Sequence, residues 1–356
     1  MLPEKENDMG NAIFRLRIKG YKSIRNQEIE LKEKINILIG PNGSGKSNFL
    51  SFFRLLEEEG KDNLQQYVEY AGGADRLLYL GAKVTSIAEV DIQFFDANGT
   101  GFYLTATQDN KLEYVQRGNV ETTGFHDLQK RGAYAHSKMM EIYSNYKLYH
   151  FHDTSDFAKI KFPNSEGNYD YLFPDASNLA PFLFRMKQKQ PQEYKYIIEV
   201  VRLAAPFFKD FKFDLNEQDG NVKWWWSQKG SDYQFHPSQI SDGTLRFICL
   251  ATALLQPEPP STILLDEPEL GLHPMALSLL SGLIQKASHK SQVIISTQSA
   301  SLVDQFQPED VIVVERKNGE SLFKRLNKDD LKVWLDDYSL GELWEMNVLG
   351  GRPSHE

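Results

Sequence analysis

The chain has 356 residues, 40 Lys+Arg against 49 Asp+Glu and a formal charge of −9, with 41% hydrophobic, 25% charged and 12% aromatic residues. That composition belongs to a packed globular protein and excludes chain-wide disorder, and the length predicts two domains or one large composite domain. The lone Cys249 excludes a disulfide framework and a CxxC-type zinc or redox site, and the longest apolar run, Phe247–Leu255, is about half of what a membrane span needs. Residues 13–18 alternate in period two and predict a strand, as do Gln27–Leu31, and Ile35–Ile39 is an apolar run ending at Gly40. Apolar residues at 49, 50, 52, 53, 55 and 56 then predict a helix over Ser47–Glu59. Alternating segments Ala88–Phe95, Gly101–Thr107 and Lys111–Gln116, separated by turn chemistry, predict an antiparallel meander. Between about 125 and 212 the pattern is mixed helix and loop, with a strong helix over Gln192–Phe208. Asp219-Gly220 predicts a hairpin turn between Phe211–Asn216 and Val222–Ser227. Helix Leu245–Leu255, buried strand Thr262–Leu265, helix Pro274–Ala287 and strands Gln292–Ser296 and Val311–Glu315 follow. That alternation predicts an α/β protein with a mostly parallel sheet covered by helices.

Three motifs carry chemistry. Gly40-Pro41-Asn42-Gly43-Ser44-Gly45-Lys46-Ser47 is a full GxxxxGK[ST], set between a strand and a helix. Its glycines let backbone N–H groups converge on phosphate oxygens, Lys46 adds charge at the β and γ phosphates, and the Ser47 hydroxyl is a magnesium ligand. The helix N-terminus that follows favours the same anion. Thr262-Ile-Leu-Leu-Asp266-Glu267-Pro268 is a buried strand ending in paired acids: Asp266 can hold Mg2+, and Glu267 can orient and polarise an attacking water. An acidic turn after any core strand is the plain alternative. Ser241-Asp242-Gly243-Thr244 opens the next helix; Ser241 is a good N-cap, and the helix end would also attract phosphate.

In this order, the motifs resemble the ABC ATPase superfamily, and its RecF/SMC branch more than its transporters. Gly40–Asn48 matches the GxNGxGKSN form of the P-loop, and Tyr21-Lys22-Ser23 resembles the Phe-Lys/Arg-Ser element before it. Ser241–Phe247 looks like the degenerate signature of RecF-like and OLD-like (overcoming-lysogenization-defect) ATPases, and Asp266–Pro274 resembles their Walker B and D-loop. Tyr149–Ser155, Ser177–Ala180, Tyr338–Trp344 and Gly350–Pro353 are similar to strings shared by a narrower group of bacterial predicted ATPases. The resemblance implies an ABC-type P-loop head with a mostly parallel core sheet, an antiparallel β subdomain and a helical insertion. It implies an ATPase using ATP and Mg2+, with Gly40 to Asn48 and Lys22 on the nucleotide. It also implies a head-to-head homodimer in which Ser241 and Gly243 reach the γ-phosphate across the interface and His273 lies near the two-fold axis. For His273, a single local hydrogen bond is the plainer alternative. Relatives carry a histidine after the last core strand, where this chain has Thr297-Gln298-Ser299. A glutamine amide donates a hydrogen bond but moves no proton, so Gln298 predicts slow turnover.

The expected organisation is an ATPase lobe over 12–124, an insertion over 125–212, the signature, Walker B and D-loop part over 213–328, and a helical tail over 329–356. His150, His152 and Asp153 read as a polar loop lining the nucleotide or a lobe hinge, or as a strand end, with a metal site the least favoured. Cys249 reads as core, and a strand over Trp224-Trp-Trp226 puts at least one indole in the core. The basic stretch 185–212 is either a phosphate-tracking surface or a solvated helix face. The first twelve residues have no apolar core, so a cytoplasmic location with no membrane partner is expected. The negative charge argues against whole-surface attraction for nucleic acid, though not against a local basic cleft. Two functions remain open. One is a DNA-linked switch in repair or phage defence that controls a separately encoded effector; the other is an ATP-gated module restraining a nuclease or toxin without contacting DNA. Residues 331–349 could be a docking surface or a helical closure of the core.

Overall fold

Strand alternation near the N-terminus sorts side chains between a buried and an exposed face, and the backbone follows it. The computed structural model describes residues 11–96, 99–116, 140, 142–165, 167 and 171–350. β1 (Ile13–Tyr21) and β2 (Ile24–Glu30) form an antiparallel pair, and β4 (Ile87–Phe94), β5 (Gly99–Ala106) and β6 (Leu112–Gln116) extend it as the meander. The sheet order is β2-β1-β4-β5-β6. A second sheet runs β15-β14-β3-β13-β12-β7. Its members are β3 (Ile35–Ile39), β7 (Tyr146–Tyr149), β12 (Thr262–Asp266), β13 (Gln292–Thr297), β14 (Val311–Lys317) and β15 (Glu320–Arg325). β12, β13, β3 and β14 are parallel in sequence around the sheet, and β15 closes one edge as an antiparallel hairpin. β3 and β13 are buried throughout, as central strands covered on both faces must be.

The helical stripe after the Gly-rich loop forms α1 (Lys46–Gly60), and α2 (Leu64–Tyr70) follows it. Phe49, Phe52 and Phe53 of α1 are buried among Tyr21, Phe102, Tyr146, Leu264 and Ile294. Phe53 makes edge contacts with Phe49 and Tyr146 at ring separations of 5.3 and 5.8 Å. Glu57 is buried with the Lys147 ammonium 2.8 Å away and Lys61 at 2.6 Å, so an ion pair ties the helix to β7.

The chain divides into two compact units: Met1–Leu148 with Pro260–Asp266 and Ser288–Glu356, and Tyr149–Pro259 with Glu267–Ala287. The first holds the sheets just described. The second contains α3 (Leu179–Lys189), α4 (Pro191–Ala204), α5 (Asp242–Leu255), α6 (Pro274–Ala287) and a small sheet of β8 (Asn164–Ser165), β9 (Phe208–Asn216), β10 (Asn221–Gln228) and β11 (Gln234–Phe235). The stretch expected as helix and loop thus includes strand β7 at the edge of the core sheet. The helix expected to run to Phe208 stops at Ala204, because Pro206 lacks an N–H and biases Ala205 out of helical geometry; Ala205 has φ −131° and ψ 81°. Phe208 instead begins β9. Trp224 and Trp226 are both core, donating to the carbonyls of Ile160 (3.0 Å) and His236 (3.3 Å). Cys249 is buried within α5, where burial pushes its thiol pKa up. In the tail, α8 (Lys328–Leu335) and α9 (Leu340–Glu345) follow α7 (Ala300–Val303), and α9 packs on α7: the Gly341 N–H donates to Asp304 at 2.6 Å. Residues 117–124 of the expected ATPase lobe, 125–139, 141, 166 and 168–170 of the expected insertion, and 351–356 of the tail, including part of the Gly350–Pro353 string, lie outside the described residues. No helix among the described residues is long and apolar enough to cross a membrane.

Phe53→Ala removes a large ring from the centre of this packing. It should lower the unfolding free energy by about 3–5 kcal/mol, read from urea midpoints at unchanged m-value.

Candidate functional site

Parallel pairing decides which loops meet. Asp266 lies opposite Ser296, Ser296 opposite Leu38, and Thr297 opposite Ile39. The next residues along these strands are Glu267, Gln298 and Gly40. The P-loop, the acidic pair and the glutamine therefore leave the sheet side by side, at the carboxyl ends of parallel strands where open α/β sheets place ligands. The Ser296 hydroxyl donates to Asp266 Oδ1 at 2.5 Å and orients that carboxylate. Glu267 has a φ of +44°, a left-handed conformation rare for a residue with a Cβ and a form of strain that gathers at functional sites.

The loop itself is shaped by close approach. A Cβ on Gly40 would sit 2.2 Å from the Val314 carbonyl, and one on Gly45 (φ +114°) would sit 2.0 Å from Ser321 Oγ. Gly43 has a positive φ with open space around it. Lys46 is buried, its ammonium donating to the carbonyls of Gly40 (2.6 Å) and Pro41 (3.1 Å) across the loop. No side chain caps α1 at Gly45, so the first N–H groups of the helix face outward. Ser44 Oγ is buried without a hydrogen-bond partner. An uncapped helix end, a buried ammonium and an orphaned hydroxyl in one loop fit a triphosphate, and the exposed Ser47 hydroxyl and the Asp266 carboxylate are hard oxygen ligands of the kind that suits Mg2+.

A family model described as "AAA domain, putative AbiEii toxin, Type IV TA system" matches residues 35–304. The chain belongs to this family. No curated protein sequence matches the chain. Among solved structures, "SmcHead bound to the C-winged helix domain of ScpA" superposes with a TM-score of 0.62 at 18% identity, covering 90% of this chain and 99% of the other. An Smc head domain with an extended coiled coil, bound to the C-terminal domain of ScpA derived from Pyrococcus furiosus, gives 0.59 at 17% identity over 91% and 98%. The head domain with a coiled coil and joint from Pyrococcus yayanosii gives 0.53 at 13% over 91% and 99%. The fold is that of an SMC-type ATPase head.

In this AAA-domain protein, Ser321 and most of the lining of a neighbouring cleft were not evident as site residues from sequence, unlike Lys22 and Asn48. Ser321 bonds Ser23 Oγ (2.7 Å) and donates to the Ser44 carbonyl (2.7 Å), tying the β14–β15 hairpin to the P-loop, while Asn48 donates to Ser23 at 2.7 Å. A cleft of about 590 Å³ opens beside this network, lined in part by Lys22, Asn48, Tyr67, Arg76, Tyr79 and Arg316. No carboxylate lines it among the described residues. Lys22 takes a left-handed φ of +47° and donates to Ser51 at 2.8 Å; burial lowers its pKa.

In the other unit, Ser241 caps α5, accepting from the Thr244 N–H (3.4 Å) and bonding its hydroxyl (2.8 Å), and stays exposed. His273 is exposed and accepts from the Met275 N–H at 3.2 Å, the local bond that was its plainer reading. The His150 and His152 rings stack with centroids 6.4 Å apart just beyond β7, off the strand. No group of three His, Cys, Asp or Glu that could hold a metal occurs among the described residues.

The two loop glycines separate two effects. Gly43→Ala costs about 1 kcal/mol from its left-handed backbone alone. Gly45→Ala adds the clash with Ser321, so it should lower the melting temperature further and weaken ATP binding at least tenfold, read by thermal melts and equilibrium titration.

Proposed function

We propose that this AAA-domain protein is an ATP-binding, slowly hydrolysing switch that closes head to head on the nucleotide. The observation that carries this reading is the register that brings Gly40, Asp266–Glu267 and Gln298 to one sheet edge. Backbone N–H groups of residues 43–48 and the Lys46 ammonium hold the β and γ phosphates, and the acid-free cleft with Lys22, Arg76 and Arg316 takes the nucleoside end. Ser47 and Asp266 hold Mg2+, which neutralises phosphate charge when bound. Glu267 orients the attacking water and takes its proton. Gln298 donates its amide N–H to the γ-phosphate; it neither adds charge nor relays a proton, and turnover is slow.

Ser241 and Gly243, at an exposed helix N-terminus, complete the partner subunit's site, with His273 near the two-fold axis. Closure then depends on the γ-phosphate, because only with it present does one nucleotide touch both subunits. The family's description as a toxin of a type IV toxin–antitoxin system supports a defence setting in which the switch controls a separately encoded effector. Exposed Lys189, Lys195, Lys209 and Lys212 support duplex DNA as the sensed ligand, although Lys187 is engaged by Asp210 and Arg202 by the Lys209 carbonyl. A second reading rests on the exposed Val333, Trp334, Tyr338 and Met346 of the tail, which suit a protein partner held without DNA.

Glu267→Gln should leave ATP binding intact and trap a dimer with Mg2+–ATP, seen by light scattering after size exclusion; a monomer in every nucleotide state overturns the closure. DNA retention by that dimer should fall steeply between 50 and 200 mM salt, and a dimer that ignores DNA favours the protein-partner reading. Gln298→His should raise the single-turnover hydrolysis rate about tenfold or more; no change in rate, ATP affinity or dimer lifetime overturns the role given to Gln298.

A further inference from the structure

One guanidinium in the second unit gathers the backbone of two separate loops. Arg246 lies one turn into α5, and its Nε donates to the Phe151 carbonyl at 3.0 Å, Nη2 to the His152 carbonyl at 2.9 Å and Nη1 to the Leu270 carbonyl at 2.9 Å. Phe151 and His152 belong to the loop after β7; Leu270 belongs to the loop between β12 and α6. The planar fork of five N–H donors reaches three acceptors at once, which a lysine ammonium on a flexible stem does not reproduce.

A second contact joins two of the same elements independently. A Cβ on Gly243, in the first turn of α5, would sit 2.4 Å from the Gly271 carbonyl. One on Gly271, which has φ +71°, would sit 2.9 Å from Arg246 Nη1. The helix start and the 267–273 loop therefore meet closely, with Gly243 leaving no room for a side chain against the Gly271 carbonyl and Gly271 held in a left-handed backbone under the Arg246 guanidinium. The loop is further held by its own turns, Leu270 N–H to Glu267 O at 3.2 Å and Leu272 N–H to Glu269 O at 3.0 Å. On the other side, the His150 N–H is bonded to the Pro174 carbonyl at 3.1 Å, and the two stacked imidazoles flank Phe151.

We propose that Arg246 is a positioning residue that locks the N-terminus of α5, the 150–153 loop and the 267–273 loop into one rigid body. Ser241 and Gly243, the His150–His152 pair and His273 are then presented together, in fixed mutual geometry. The consequence for hydrolysis rests on the ATPase reading above; the lock itself does not.

Arg246→Lys and Gly271→Ala disturb the lock from opposite sides while leaving the P-loop untouched, and both are measured in the full-length chain. By hydrogen exchange without nucleotide, amides of 150–153 and of 269–273 should accelerate together, tenfold or more, while 248–254 in the interior of α5 keeps its protection. With Mg2+–ATP, single-turnover hydrolysis should fall at least tenfold at an ATP affinity within twofold of wild type, a split that general loosening of the fold would not produce. Loosening of one loop alone, or of neither, overturns the lock. Both loops loosened with hydrolysis unchanged overturns its positioning role. A wild-type chain that neither hydrolyses ATP nor dimerises would sink the ATPase reading instead, and the exchange pattern alone then decides whether Arg246 joins the loops.

Discussion

The parallel ladder joining β12, β13 and β3 is the constraint on which the site depends. In a parallel sheet, hydrogen bonds fix the relative height of neighbouring strands, and a one-residue slip would carry every side chain to the opposite face, against packing shaped for a different residue. With Val293, Ile294 and Ile295 wholly buried between Ile263–Leu265 and Ile35–Ile39, no slip is tolerated. Hydrophobic burial deep in the sheet thereby sets the height at which Gly40, Glu267 and Gln298 emerge. The short bond between Ser296 and Asp266 is a product of the same register, since the two residues are direct cross-strand neighbours.

The P-loop is held from outside as much as by its own glycines. The β1–β2 turn contributes Ser23 and Lys22, and the β14–β15 hairpin contributes Ser321, so two segments distant in sequence converge on the P-loop and the start of α1. Gly45 is obligatory because Ser321 occupies the space a side chain would need. Preorganisation of this kind reduces the ordering cost when an anion binds, because the N–H groups already point outward from an uncapped helix. The likeness to SMC heads concerns this head architecture alone. Among the described residues no helix exceeds the 15 residues of α1, so nothing there forms the long coiled coil that SMC-type arms require.

Elements with strong local signals were legible in the sequence. Pro274–Ala287 was bounded by its proline and by helical periodicity, and the P-loop was marked by glycines whose spacing has one mechanical use. The meander was legible because its turns carry Asp, Asn and Gly. Non-local facts were not legible. Nothing in Tyr146–Tyr149 announces that four residues inside a mixed region would pair with β12, because a short strand owes its conformation to its neighbour. Ser321 and Arg246 have no local pattern, and their importance arises only where the fold places them against Gly45 or against loop carbonyls. The end of α4 carries conflicting signals, apolar periodicity through 208 against Pro206, and the proline decides it because a missing N–H and a steric clash cannot be offset by one more apolar contact.

Two residues at the sheet edge bear on how a switch differs from a motor. A nucleotide shifts an assembly equilibrium only by its differential affinity for the closed and open states, so in the proposed closure the γ-phosphate is what would favour the closed state. Glu267, held at a strained φ of +44°, follows Asp266 directly in the chain, and under the proposed reading its carboxylate is the group that would orient the water. Gln298 follows Thr297 at the end of β13, and in the proposed reading it offers the γ-phosphate an amide. An amide stabilises bound phosphate without moving a proton, which favours holding over cleaving. On the proposed reading, a head built this way would report its trigger through the lifetime of the closed state and would need little throughput to do so.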